Sequence, residues 1–215
     1  MKFRSLSLAV ITFSVALASS AMAIAGAPDD YVKSQHSKLE TLLRQPDSAG
    51  KNAQISAALD GMIDYDALAK GTFGEPCQAQ VPNCTDHWKE LSPAQQVEIS
   101  GLLKSLVQKQ YQKNLNRTLN YTITYAGTGN VGSLVSVHTE AKSNLDAREP
   151  TVFIDYVLEP AAGSYRVVDV VTERSSLVKN WYGTFDKYLT DPSKGYPYLK
   201  QKVLENIAKL SAPHS

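Results

Sequence analysis

Hydrophobic residues fall at three- and four-residue steps through the first half of the chain and at every second residue through much of the second half. That change of period is the main structural signal in the sequence. From Pro28 to Arg44, Tyr31, Val32, Leu39, Leu42 and Leu43 share one helical face, and Ile55, Leu59, Met62 and Ile63 continue the spacing. In Asp64-Tyr65-Asp66-Ala67-Leu68-Ala69, either Asp64 or Asp66 suits a helix start, where a carboxylate accepts from free backbone N–H groups. Two carboxylates this local read as caps or solvated charge before they read as an acid and a base. Ser92-Pro93 opens the longest helix, with Ser at the N-cap and Pro in the first turn. Its stripe of Ile99, Leu102, Leu103, Leu106, Val107, Tyr111 and Leu115 fits a core or one wall of a cavity, since both demand the same residues.

Beyond it, Leu119, Tyr121, Ile123 and Tyr125 alternate with Asn120, Thr122 and Thr124. Gly127-Thr128-Gly129-Asn130 reads as a turn into a second strand from Leu134 to Ala141. Val152, Ile154, Tyr156 and Leu158 make a third strand, and Ala161-Ala162-Gly163 turns into a fourth from Tyr165 to Thr172. Two helices close the chain, near Ser176–Leu189 and Tyr198–Leu210. The expected fold class is therefore α+β: N-terminal helices, a four-stranded antiparallel sheet and C-terminal helices, with the helices on one face of the sheet. An apolar cavity fits between the sheet and the helical layer.

The N-terminus adds a targeting signal. Lys2 and Arg4 precede an apolar run from Leu6 to Ala18, and Ala21-Met22-Ala23 supplies a small-residue cleavage site. The run is short for a membrane span, which needs about 20 residues. Residues 1–23 are read as a cleaved signal peptide, with Ala25 as a second cleavage point, and 24–215 as a single domain in an exported protein. No cysteine directly follows the apolar run, so a lipoprotein is not expected. Removing Lys2 and Arg4 leaves 20 of the 22 basic residues against 21 acidic ones, so the mature chain is near neutral. Nucleic-acid partners are not expected, because binding phosphates takes a basic surface.

Cys77 and Cys84, the two cysteines, lie in a Pro-bearing stretch. In an oxidising compartment this reads as a local disulfide. The spacing is not that of a C-x-x-C redox motif, and no companions stand at zinc-ligand spacing. No cofactor or metal is expected. His36, His87, His138 and His214 are scattered, although His138 on its strand could meet Asp155 or Asp169. The chain has no G-x-S-x-G elbow, no H-E-x-x-H helix and no ATP-binding G-x-x-x-x-G-K-[ST] loop.

The most informative block runs from Tyr165 to Phe185. An aromatic residue, Val167 and Asp169-Val170 are followed by Ser176-Leu177-Val178, Asn180, Trp181 and Phe185. This resembles the strand-to-helix signature of the MlaC (toluene-tolerance auxiliary) family. Ile63-Asp64-Tyr65-Asp66-Ala67-Leu68-Ala69 with Phe73-Gly74, and Trp88 with Leu91-Ser92, Gln95-Gln96, Leu103 and Tyr111, resemble two further segments of that family. The strands between Leu119 and Leu158 match only in pattern. Arg174 stands where the family usually has Gly and Tyr182 where it usually has Arg. The cysteine loop looks like an insertion between Gly74 and Trp88.

The resemblance implies a soluble periplasmic carrier that binds phospholipid, is not an enzyme, and moves lipid between an inner-membrane ABC transporter complex and an outer-membrane acceptor. A monomer is expected. Each ~16-carbon acyl chain gains about 0.8 kcal/mol per buried methylene, ~13 kcal/mol in all, so a carrier must sheathe the chains and needs polar groups only at the mouth. The expected wall is Leu103, Val107 and Tyr111 on the long helix, Val152, Ile154 and Tyr156 on the third strand, Val168 and Val170 on the fourth, and Leu177 and Trp181 on the penultimate helix. Alternation would place Asp169 with Tyr165, Val167 and Val171 on the opposite face from Val168 and Val170. A carboxylate there must be paired if buried; a structural hydrogen bond to the turn is favoured over contact with a lipid head group. The rival readings are a small α+β cone enzyme of isomerase or dehydratase type using an Asp–His pair, and a non-catalytic adaptor.

Overall fold

A computed structural model describes residues 26–77 and 81–211, with the side chains of Leu115 and Asn116 excepted. The expected signal peptide at 1–23, Gln78-Ala79-Gln80 of the cysteine loop and His214 lie outside the described residues. The helices are α1 (Pro28–Leu43), α2 (Ala49–Met62), α3 (Tyr65–Thr72), α4 (Pro93–Thr118), α5 (Leu177–Leu189) and α6 (Gly195–Ser211), with a 3₁₀ turn at Trp88–Glu90. Ser48, Asp64, Ser92 and Ser176 each start a helix by accepting from the backbone N–H three residues on. At Ser92 the Gln95 side chain returns the bond, completing a capping box. None of the described helices is long and apolar enough to cross a membrane.

The strands are β1 (Tyr121–Val131), β2 (Leu134–Ser143), β3 (Val152–Ala161), β4 (Ser164–Thr172) and β5 (Ser175–Ser176), paired antiparallel in that order. Five strands replace the expected four because Thr172↔Ser175 and Val171↔Ser176 pair across a two-residue turn. Glu173 and Arg174 form that turn with φ of 50° and 64°. Both turn positions are left-handed, as a type I′ hairpin requires, which is where glycine is favoured. The Arg174 departure therefore falls on a backbone position suited to Gly.

The first hairpin also differs from expectation. β1 continues through Gly127-Thr128-Gly129-Asn130 to Val131, and the chain turns at Gly132. Gly127, with φ of 107°, serves a bulge after Tyr125 instead of a turn. A Cβ on Gly129 would collide with the ring of His138.

A second bulge reorients β4. Val157 opposes Asp169 and Leu158 opposes Val167, so Val168 has no partner on β3. The extra residue reverses the alternation. Tyr165, Val167 and Val170 consequently pack into one core, and the expected grouping of Asp169 with Tyr165 and Val167 is corrected. Asp169 lies at the edge of the sheet. Its Oδ1 accepts from the backbone N–H of Val170 and Val178 at 2.8 and 3.1 Å, and its Oδ2 from the Ser176 hydroxyl at 2.6 Å. The carboxylate thus makes structural bonds to the turn and the start of α5.

Two apolar clusters fill the interior. One joins α1, α2 and α3 to the sheet through Val32, Leu59, Leu68, Val137, Leu158 and Val167. The other is helical, with Phe73, Ile99, Leu103, Phe185 and Leu199 at its centre. Cys77 and Cys84 are joined, their Cα atoms 5.7 Å apart, beside this second cluster. The cysteine loop docks on α5: the Tyr182 hydroxyl accepts from the Thr85 N–H at 2.8 Å, and its ring stacks on His87. Gly74 leaves room for this approach, since a Cβ there would strike the Thr85 carbonyl oxygen. The Tyr182 departure and the inserted loop are thus two halves of one contact.

His87 is buried between two carboxylates, with Nδ1 2.8 Å from Glu90 and Nε2 2.9 Å from Asp186. Burial favours the neutral ring, but the hydrogen bonds and charges of Asp186 and Glu90 outweigh it and raise the pKa above its ordinary 6.5. A raised folded pKa means that this stabilisation is complete below about 6.5 and disappears as pH rises through the higher folded value. Urea unfolding across that range should show stability falling more steeply in the wild type than in His87→Gln; parallel pH profiles would count against the pairing. Reduction of the disulfide, whose cysteines are seven residues apart, should cost about 2.5 kcal/mol by loop entropy, read as a lower unfolding midpoint. An unchanged midpoint would show that the bond does not constrain the unfolded chain.

Candidate functional site

The helix-side face of the sheet is unequally covered. Near β4 it is dry: Val137, Leu158 and Val167 are fully buried. Toward β1 the residues facing the same way, Ile123, Tyr125, Val152, Ile154 and Tyr156, are only half-buried. They face a cavity of about 630 Å³ between the sheet, α1 and the C-terminal part of α4. That is within the ~300–1,000 Å³ usual for small-molecule sites.

Each wall follows from local structure. Alternation aims Ile123 and Tyr125 of β1, Ala141 of β2, and Val152, Ile154 and Tyr156 of β3 to one side. The i, i+3, i+4 and i+7 positions of α1 bring His36, Leu39, Glu40 and Leu43 to the opposite side. Tyr111 of α4 and Leu119 close the end. The rim is polar: Lys33 and Ser37 on α1, Arg44 at its C-cap, Asn114 and Arg117 on α4, and Asn144 after β2. Arg44 is paired with Glu40 at 2.7 Å, and this pair is exposed, so it contributes little to stability.

One polar contact lies on the apolar wall. His36 Nδ1 is 2.8 Å from the Tyr125 hydroxyl, and its ring meets Tyr156 edge-on with centroids 5.0 Å apart. Burial pushes the His36 imidazole down to about 4, so it is neutral at neutral pH. Burial pushes the phenols of Tyr111 and Tyr125 up to about 12, and that of Tyr156 well above its ordinary value. For Tyr125 the charge of Glu40 adds to the effect.

Of the expected wall residues, Tyr111, Val152, Ile154 and Tyr156 line the cavity. Six others lie elsewhere. Leu103 is fully buried in the helical cluster, about two turns of α4 before Tyr111. Val107 and Val170 pack against the sheet-side core, as does Leu177. Trp181 sits between the two clusters and packs on Phe185. Val168 is the unpaired residue of the bulge. The cavity is thus walled by α1, the end of α4 and β1–β3, and not by β4 and α5. The reason is coverage: α5 and α3 already pack on β4. Leu39, Leu43, Ile123 and Tyr125 stand out in the sequence as apolar or aromatic positions and His36 only as one of the scattered histidines; nothing in their spacing tells which half of the sheet α1 leaves uncovered.

His138 does meet Asp155, Nδ1 to Oδ1 at 2.8 Å. These residues alternate with Val137 and Tyr156, so the pair points away from the cavity. The Asp–His couple of the enzyme reading therefore lies on the wrong face to act on a molecule in that cavity. No group of three or more His, Cys, Asp or Glu suited to a metal ion occurs among the described residues.

Comparison with known proteins places this geometry in context. The family model described as MlaC protein matches residues 34–202. No curated protein matches the sequence. Among solved structures, the chain is similar to a phospholipid-binding protein from Ralstonia solanacearum, solved in complex with a phospholipid. The TM-score is 0.70 at 20% identity, over 87% of this chain and 100% of that one.

Cavity and core respond differently to a larger side chain. Leu103→Trp overfills a dry cluster and should cost about 1–3 kcal/mol, whereas Ile154→Trp has space to enter and should cost less than Leu103→Trp. Thermal unfolding of both variants tests this; an equal or larger loss at Ile154 would show that the space is not available to a side chain.

Proposed function

We propose that this chain, which belongs to the MlaC protein family, is a lipid carrier that sheathes the acyl chains of a phospholipid in the cavity between α1 and the sheet. The observation that carries this reading is the division of the cavity into an apolar wall and a polar rim. Leu39, Leu43, Leu119, Ile123, Val152 and Ile154 offer hydrocarbon to hydrocarbon, while Lys33 and Arg117 stand at the rim where a phosphate would remain hydrated. Burying methylenes against the wall gains about 0.8 kcal/mol each, and a head group left at the rim avoids the cost of burying charge. The similar Ralstonia solanacearum protein, which holds a phospholipid on the same fold, supports the assignment.

In this reading the protein is exported by its N-terminal leader and works in the periplasm. It is a monomer, performs no catalysis and needs no cofactor. It receives and delivers lipid between an inner-membrane ABC transporter complex and an outer-membrane acceptor, which supply the energy and direction that a chain without an ATP-binding loop leaves to its partners.

Native mass spectrometry of the purified protein tests the core of this proposal. The wild type should carry an added mass that extraction identifies as phospholipid, and Ile154→Trp should carry much less while remaining folded. Wild-type protein that neither co-purifies with nor takes up phospholipid would overturn it.

A further inference from the structure

The cavity wall carries more hydrogen-bonding capacity than hydrocarbon chains can use. Tyr111, Tyr125, Tyr156 and His36 come from α4, β1, β3 and α1 and all face the same space. Among them the structure has one hydrogen bond, between His36 Nδ1 and the Tyr125 hydroxyl. The hydroxyls of Tyr111 and Tyr156 and the second ring nitrogen of His36 have no partner among the described residues. Phenols set in a wall of Leu, Ile and Val without an acceptor are unfavourable, because they lose their water without replacing it. An acyl chain alone would leave them so.

We propose that this cluster is a neutral hydrogen-bonding station for the ester carbonyls of the bound lipid, so that the protein selects ester-linked glycerophospholipids over ether-linked ones. This rests on the reading of the chain as a phospholipid carrier and says which part of the lipid is recognised inside. The carbonyl oxygen is the acceptor whose chemistry fits. The phenols remain protonated and the imidazole uncharged at neutral pH, so the cluster offers donors but no positive charge. A phosphate or a free carboxylate would be buried here without a counter-charge, which is costly. Cations stand at the rim instead. Lys33 makes no ion pair among the described residues and precedes His36 by three positions on the same face of α1, a Cβ separation of about 5–6 Å. That separation suits a lipid whose phosphate lies at the rim and whose ester groups, a few bonds further along, lie beside His36 and the tyrosines. An ether linkage keeps the number of chain atoms but has no carbonyl oxygen, and the oxygen that remains is a poorer acceptor.

The test uses two probes with one head group and one chain length: dipalmitoyl phosphatidylethanolamine and its dihexadecyl ether analogue. Each is presented to the purified protein after removal of co-purifying lipid, and the two compete in a native mass spectrometry measurement. The diester should be favoured about tenfold, as expected when one or two neutral hydrogen bonds are lost. The double variant Tyr111→Phe, Tyr156→Phe should bring that ratio toward one. Equal binding of both lipids by the wild type overturns the station and leaves the carrier reading in place. A wild-type preference that survives unchanged in the double variant overturns the role of these tyrosines. Binding of neither lipid overturns the inference and the carrier reading together.

Discussion

Asp169 stands where β4 stops alternating, and its two oxygens accept from Ser176, Val170 and Val178. Burial holds its carboxyl above the usual carboxylate range, and the bonds from Ser176 and the backbone offset part of that. A buried carboxylate is tolerable only with such donors, and each donor would cost about 1–3 kcal/mol if left unsatisfied. One side chain therefore fixes several things together. It holds the bulge at Val168, the short β4–β5 hairpin and the first turn of α5 in a single arrangement. Because the bulge reverses the faces of β4, Val167 and Val170 both reach the helix side, where Val170 opposes Tyr156 across the strand pair. The dry end of the sheet is built on that reversal.

Once β4 is covered by α2, α3 and α5, the remaining face toward β1 depends on α1 and the end of α4. These two helices do not fill it. Exposure follows the same line across single strands: on β3, Leu158 is fully buried, whereas Tyr156, Ile154 and Val152 are half-buried in the same direction. On β2, Val137 is fully buried, and β1 beyond it has no fully buried side chain. A single sheet thus changes from core to cavity wall within one or two residue pairs. His36 spans the change, reaching from α1 to Tyr125 and Tyr156.

Periodicity revealed most of the architecture because each element buries one face: the caps at Asp64, Ser92 and Ser176 and the strand around Ile154 stand where the pattern puts them. Two kinds of feature escaped it. Bulges change the count by one residue: Val168 repeats the type of Val167, and Gly127 suits a turn as well as a bulge, so alternation misassigned Asp169 and ended β1 too early. The cavity escaped for a different reason. An apolar residue facing a void and one facing a partner have the same composition, and only the packing of α1 against the sheet distinguishes Leu43 from Leu103. Of the two departures from the MlaC pattern, Arg174 falls on a local left-handed turn, whereas Tyr182 became intelligible only through a contact distant in sequence, 97 residues away at the Thr85 backbone.

The separation of the two apolar clusters bears on how a protein with an empty space in it stays folded. Side chains facing a void lack partner atoms on one side and lose that dispersion energy. The helical cluster does not share the deficit: Phe73, Ile99, Leu103 and Leu199 are fully buried there, away from the cavity. The Cys77–Cys84 bond and the pairing of His87 with Glu90 and Asp186 also belong to that half. A ligand bound to the folded state adds stability in proportion to the logarithm of its concentration over Kd, so a chain that depended on the cavity for its core would be least stable when unloaded. Here the constraints that secure the helices lie outside the cavity. The cavity is walled by α1, β1–β3 and the C-terminal end of α4, whereas the contacts of α3, α5 and α6 with the first half of α4 lie apart from it.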